Sequence, residues 1–147
     1  MNEVRIPANA LVLVADGRRA RLLRNRGTPQ QVKLTIESAV EQENPPTREQ
    51  GSDRPGRYPA ADGVSRSAVE QTDWHQLAEE RFAADIAEWL YPLAHARAFD
   101  ALMVIAPPKV LGNLRDSFHP EVRARVVAEV AKDLTGVPLR ELEEMLS

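Results

Sequence analysis

Cysteine is absent from the chain, and with it go disulfides, thiolate catalysis and cysteine-based zinc sites. Positive charge is not in surplus: over 147 residues the formal net charge is -3, which argues against a uniformly basic nucleic-acid binder but leaves room for a local basic patch. Long apolar runs are missing too. The N-terminal MNEVRIPANALVLVADG has an acidic residue near its start and only a short hydrophobic stretch, unlike a signal peptide or a membrane span. A cytoplasmic protein without a membrane span is therefore expected. No Gly-x-Ser-x-Gly elbow occurs, and no Gly-rich phosphate loop with its lysine follows a strand, so acyl transfer and nucleotide hydrolysis lack their usual parts. The histidines, His75, His95 and His119, show no ligand-type spacing to one another or to a nearby carboxylate. Neither a metal nor another cofactor is implied.

What is present suits one globular domain over residues 1–147, with 43% hydrophobic and 28% charged residues. Ala10 to Ala15 (ALVLVA) is an unbroken apolar run, the pattern of a strand buried on both faces. Asp16-Gly17 then favours the positive φ values of a tight hairpin turn, with Arg19 to Arg24 as the antiparallel partner. After turn residues at Asn25 to Gln31, Val32, Leu34, Ile36 and Val40 alternate with polar or small residues, which predicts a half-buried third strand. From Trp74 the period lengthens: Ala78, Phe82, Ile86, Trp89 and Leu93 predict an amphipathic helix, with Asp73 as N-cap, Gln76 completing the cap, and Pro92 kinking or ending it near Trp89 to Tyr91.

Leu102 to Ala106 (LMVIA) reads as a second buried strand, and Pro107-Pro108 opens a helix carrying Val110, Leu111, Leu114 and Phe118. Val126, Ala128 and Val130 mark a fifth strand, and Leu139, Leu142, Met145 and Leu146 a final helix started by Pro138. The expected architecture is α/β: a mixed five-stranded sheet built from a three-strand antiparallel meander, then helix, strand, helix, strand, helix. That order matches the ribonuclease H-like fold, with the first strand central and the fourth and fifth parallel beside it. A nuclease of that fold needs carboxylates converging on metals, but here the fourth strand ends in Ala106-Pro107 and Asp16 falls in a predicted turn.

The stretch from Glu41 to Asp73 stands apart. Between Val40 and Val64 it has no aliphatic residue larger than alanine, and Tyr58 is its only aromatic, so it cannot offset its own ordering entropy of about 1–2 kcal/mol per residue. Its prolines and glycines punctuate a series of arginines, Arg48, Arg54, Arg57 and Arg66. Asp53-Arg54-Pro55-Gly56-Arg57, followed by Arg66-Ser67 and Glu70, is the candidate ligand- or partner-binding constellation, because guanidinium forks clamp phosphate or carboxylate bidentately. The same residues also fit a structural clasp, in which Asp53, Glu70 and Asp73 pair internally with Arg54, Arg57 and Arg66. Pairing with a second copy would order so charged a loop, and a two-fold homodimer is the commonest closed solution.

Four segments carry a resemblance: ENPPTREQGSDRPGR (Glu43 to Arg57), RSAVEQTDWHQLAEERFA (Arg66 to Ala83), VIAPPKVLGNLR (Val104 to Arg115) and RARVVAEVAKDLTGVPLRELEEML (Arg123 to Leu146). Together they resemble the bacterial host attachment protein family. That resemblance implies a cytoplasmic, non-enzymatic binding protein acting indirectly in attachment to host cells, through the arginine loop and an anionic ligand or protein partner. More distantly the chain looks like the middle domain of archaeo-eukaryotic peptide-chain release factors, where a loop between a strand meander and a long helix bears a Gly-Gly-Gln motif. Its glutamine reaches the peptidyl-tRNA ester. The corresponding place here reads GVSRSAVE (Gly63 to Glu70), with Ser65-Arg66 where Gly-Gln would stand. This second resemblance implies a translation-associated factor contacting tRNA or the ribosome without the hydrolytic glutamine. An unrecognised hydrolase is the third reading.

Overall fold

A computed structural model describes the backbone of residues 5–42 and 60–147 and the side chains of residues 5–42 and 74–147. One five-stranded sheet organises them, in the order β3-β2-β1-β4-β5. Strands β1 (Leu11–Ala15) and β4 (Leu102–Ala106) lie parallel at its centre, paired from Leu11↔Leu102 to Val14↔Ile105. Both are buried at every residue, as continuous apolar runs must be when helices cover the two faces of a sheet. β2 (Arg19–Asn25) and β3 (Leu34–Glu41) continue the sheet antiparallel on one side, and β5 (Val126–Ala131) adds in parallel on the other. The mixed α/β sheet implied by the sequence is thus present, with the first strand central.

The β1–β2 hairpin forms by different means from those expected. No glycine among the described residues has positive φ. Instead the Asp16 carboxylate accepts hydrogen bonds from the amides of Arg18 and Arg19, both at 2.7 Å, and so holds the turn with its side chain. Gly17 answers a different need. A Cβ there would stand 3.0 Å from the Glu79 side chain, so glycine permits close approach of the long helix.

β3 departs from simple alternation. The register shifts opposite Leu22 and Leu23, so that Ile36 pairs with Leu23 while Ser38 pairs with Leu22, leaving Glu37 as the extra residue of a bulge. The bulge transfers the following even positions to the opposite face of the sheet. Ile36 and Val40, expected to be half-buried on one face, consequently lie on different faces and are 54% and 39% exposed.

Helix α1 spans Ala60–His95, longer at both ends than its sequence signals suggest. Asp73 and Gln76, read as a cap, lie within it, because no proline interrupts the chain between Pro59 and Pro92. Pro92 does not end it. The proline sits on the exposed side of the last turn, where losing one amide donor costs little, and the helix runs on to His95, closed by Arg97 just beyond it. Arg97 adopts φ 59°, its amide bonds to the Ala94 carbonyl, and the Ala98 amide reaches the Leu93 carbonyl at 2.8 Å, the geometry of a left-handed C-terminal cap.

Helices α2 (Pro108–Ser117) and α3 (Pro120–Arg123) follow β4, and α4 (Leu139–Leu146) closes the described chain. The short α3 has no signal in the periodicity. Phe82, Ile86 and Leu90 of α1, Leu111 and Leu114 of α2 and Val122 of α3 pack on the face formed by Leu11, Leu13, Leu22 and Val104. Leu142 of α4, with Ile6, Val12, Leu23, Met103 and Ile105, fills the other face. Each fully buried large aliphatic contributes roughly 1.5–3 kcal/mol.

Candidate functional site

The carboxyl ends of β1, β4 and β5 share one edge of the sheet, and β3 reaches the same edge before the chain passes to α1. In open α/β sheets this edge is where ligands bind. Its local structure starts from Asp16. Besides the two turn amides, its second oxygen accepts a hydrogen bond from the Thr135 hydroxyl at 3.0 Å and lies 3.5 Å from the Arg19 guanidinium. Burial alone would raise the Asp16 pKa, but the Arg18 and Arg19 amides, the Thr135 hydroxyl and the Arg19 charge together hold it below the ordinary value. Thr135 is only 9% exposed, and its oxygen also lies 2.8 Å from the Asp133 carboxylate.

Arg21 completes the arrangement by donating to the carbonyls of Leu134 (3.3 Å) and Val137 (3.0 Å). Its Nε is buried without a partner, and desolvation, then the Arg19 charge, lowers its pKa. The cluster therefore bolts the β1–β2 turn to the β5–α4 connection. Its one hydroxyl and its carboxylates are engaged with each other, so it is built for holding rather than for attack on a substrate.

A second bolt fixes the exit of β3. The Gln42 amide bonds to the Arg18 carbonyl at 2.7 Å, and the Gln42 side chain donates to the Ala78 carbonyl of α1 at 3.2 Å. The compositionally odd stretch is thus anchored at Gln42 on one side and by α1 on the other. Of the residues proposed to bind, Arg48, Asp53, Arg54 and Arg57 lie outside the described residues. Arg66, Ser67 and Glu70 fall on the helical backbone of α1, with positions 66 and 70 about one turn apart. The loop expected over Glu41 to Asp73 therefore ends by Ala60, and Ser65-Arg66, matched to a loop glutamine motif, are helical.

Elsewhere the fold brings together residues that sequence spacing does not connect. His95 Nδ1 lies 3.0 Å from Glu121, His119 Nε2 lies 3.2 Å from Glu88, and the Tyr91 ring stacks on His119 at 4.1 Å. These pairs link the end of α1 to α3. Among the described residues, no three histidine, aspartate or glutamate side chains converge as a metal site. An open depression of about 430 Å³ lies beside Phe118, Arg123 and Val126. Its arginines are committed: Arg115 binds Glu129 bidentately, which raises its pKa, and Arg123 donates to the carbonyls of Arg115 and Phe118.

No helix among the described residues is long and apolar enough to cross a membrane. No curated protein matches the chain. The model of one protein family does match, over residues 9–146, and its description supports the release-factor resemblance while giving nothing for the host attachment name. With the whole sheet, the four described helices and the segment between β3 and α1 inside that match, the chain belongs to bacterial archaeo-eukaryotic release factor family 12.

Proposed function

We propose that this protein is a cytoplasmic, translation-associated factor that binds tRNA or ribosomal RNA through the arginine-bearing stretch between β3 and α1. The family match over residues 9–146 carries this reading. Its chemistry supports it: Arg48, Arg54, Arg57 and Arg66 fall within 19 positions of one another in a chain whose overall net charge is -3, and guanidinium forks clamp phosphate bidentately. The two bolts, at Asp16 and at Gln42, give that stretch a rigid base. Asp53, Ser67 and Glu70 orient the arginines or contact the partner's donors.

Binding without hydrolysis is the expected activity. Peptide release by the related factors depends on a loop glutamine, and the matching position here is Ser65-Arg66, on helical backbone and without a glutamine. An indirect part in host attachment would follow from this binding, not from display on the cell surface. A tagged protein recovered mainly from the surface or the medium would overturn that order of events.

Co-sedimentation with ribosomes across a salt series tests the proposal. Removing one arginine–phosphate interaction should flatten the slope of log K against log salt by about 0.7–0.9, so a variant combining Arg54→Ala with Arg57→Ala should lower it by roughly 1.4–1.8 and melt near the wild type. Wild-type protein that fails to co-sediment, or whose binding ignores salt, refutes the reading. If both arginines are instead a structural clasp, the double variant will unfold.

A further inference from the structure

The geometry points to the outer edge of β3 as a self-association surface, where a second copy adds its own β3 antiparallel about a two-fold axis through Val40. The inference is independent of RNA binding. The Gln42 amide bonds to the carbonyl of Arg18, the turn residue just before β2 and in register with it, so after the bulge the even positions Val40 and Ser38 turn their backbone toward β2. Ala39 and Glu41 therefore aim their N–H and C=O groups away from the sheet.

The other half of the edge is closed. There the Leu34 amide is accepted by the Glu143 carboxylate at 2.8 Å and the Val32 amide by the Ser147 hydroxyl at 3.0 Å, both from the α4 end of the chain. A long foreign strand would run into α4. A short ladder centred on Val40 would not, and the strand is complementary to itself in that register. Ala39 faces the partner's Glu41 and Glu41 faces the partner's Ala39, which gives four backbone hydrogen bonds with no like charges opposite one another.

Val40 then meets Val40 of the partner as a non-hydrogen-bonded pair, with Cα atoms about 4.5 Å apart. It lies on the α1 face, because it pairs with Ala20 of that core. The Gln42–Ala78 bond brings exposed Leu77 to the same end of the strand, so two otherwise solvated aliphatic side chains gain cover. A ladder of only four backbone hydrogen bonds is a small contact, so association is concentration-dependent.

The absence of native cysteine makes a direct test available. Val40→Cys should accumulate as a disulfide-linked dimer under mild oxidation, since the pair falls within the about 4.4–6.8 Å Cα separation a disulfide accepts. Val127→Cys, 52% exposed on the opposite edge strand, supplies the rate of random collision. Adding Ala39→Pro to Val40→Cys removes the outward amide without touching the β2 ladder, and should abolish the cross-link while leaving the melting temperature nearly unchanged. Equal cross-linking of the Val40→Cys and Val127→Cys proteins, or cross-linking that survives Ala39→Pro in a folded protein, overturns the inference.

Discussion

Replacing Asn25 by aspartate tests the polar knot on which the hairpin end of the sheet depends. Asn25 is 0% exposed, and its amide nitrogen faces the carbonyls of Ile6 (3.1 Å), Pro7 (3.3 Å) and Thr28 (3.4 Å). Its oxygen accepts from the amides of Gly27 (2.9 Å) and Lys33 (3.1 Å). Aspartate keeps the shape and the two acceptor bonds but deletes both donated protons. Two missing bonds at about 1 kcal/mol each, with stranded carbonyls and a buried charge added, amount to about 3–5 kcal/mol at neutral pH. At this chain length that is roughly a 10–15 °C fall in melting temperature.

The pH dependence has a definite sign. Burial and three facing carbonyls raise the folded-state pKa of the new carboxyl above its unfolded value of about 3.9. Below that value the carboxyl is protonated in both states, so the penalty is smallest; it grows as pH rises and levels off above the folded pKa. Urea denaturation of Asn25→Asp and wild type at pH 4 and pH 7 should therefore give a larger difference at pH 7. A difference under about 1 kcal/mol at pH 7, or one that ignores pH, would show that the knot contributes little.

Leu142→Ala, which truncates the one residue of α4 buried at 0% exposure, should cost about 2–5 kcal/mol by chemical denaturation and loosen the Glu143 and Ser147 caps on β3. Glu37 has its pKa lowered first by the Arg24 hydrogen bond, so the stability it adds is present above the ordinary carboxylate range and lost as pH falls through its folded value. Glu37→Gln should accordingly flatten the acid limb of a stability-against-pH curve while costing about 1 kcal/mol at pH 7. Gly27→Ala would drive a Cβ into the Gln31 carbonyl and to 3.0 Å from the Lys33 amide, and thermal melts should report a loss of about 1–3 kcal/mol.

The central strands are readable because LVLVA and LMVIA leave no polar position, so no environment but a covered sheet suits them. Ile36 and Val40 mislead for a specific reason: alternation assumes an unbroken pleat, and the Glu37 bulge has no signature in the residues themselves. The start of α1 is hidden because Asp73 and Gln76 satisfy a capping pattern that a helix interior also tolerates. Composition alone marks the arginine stretch. Residues that bolt its base cannot be found this way, since Asp16 and Thr135 meet only through the return of the chain after β5, and neither flank advertises the other.

The central position of β1 has a consequence for how the chain is made. Leu11 is made well before its parallel partner Leu102, and at about 5–20 residues per second the intervening chain takes roughly 5–20 s to synthesise. During that interval the meander has an open, wholly apolar edge that β4 will later occupy, the kind of edge that templates aggregation. Nascent chains stalled before β4 should therefore be the most dependent on chaperones, and chains released beyond Ala106 much less so.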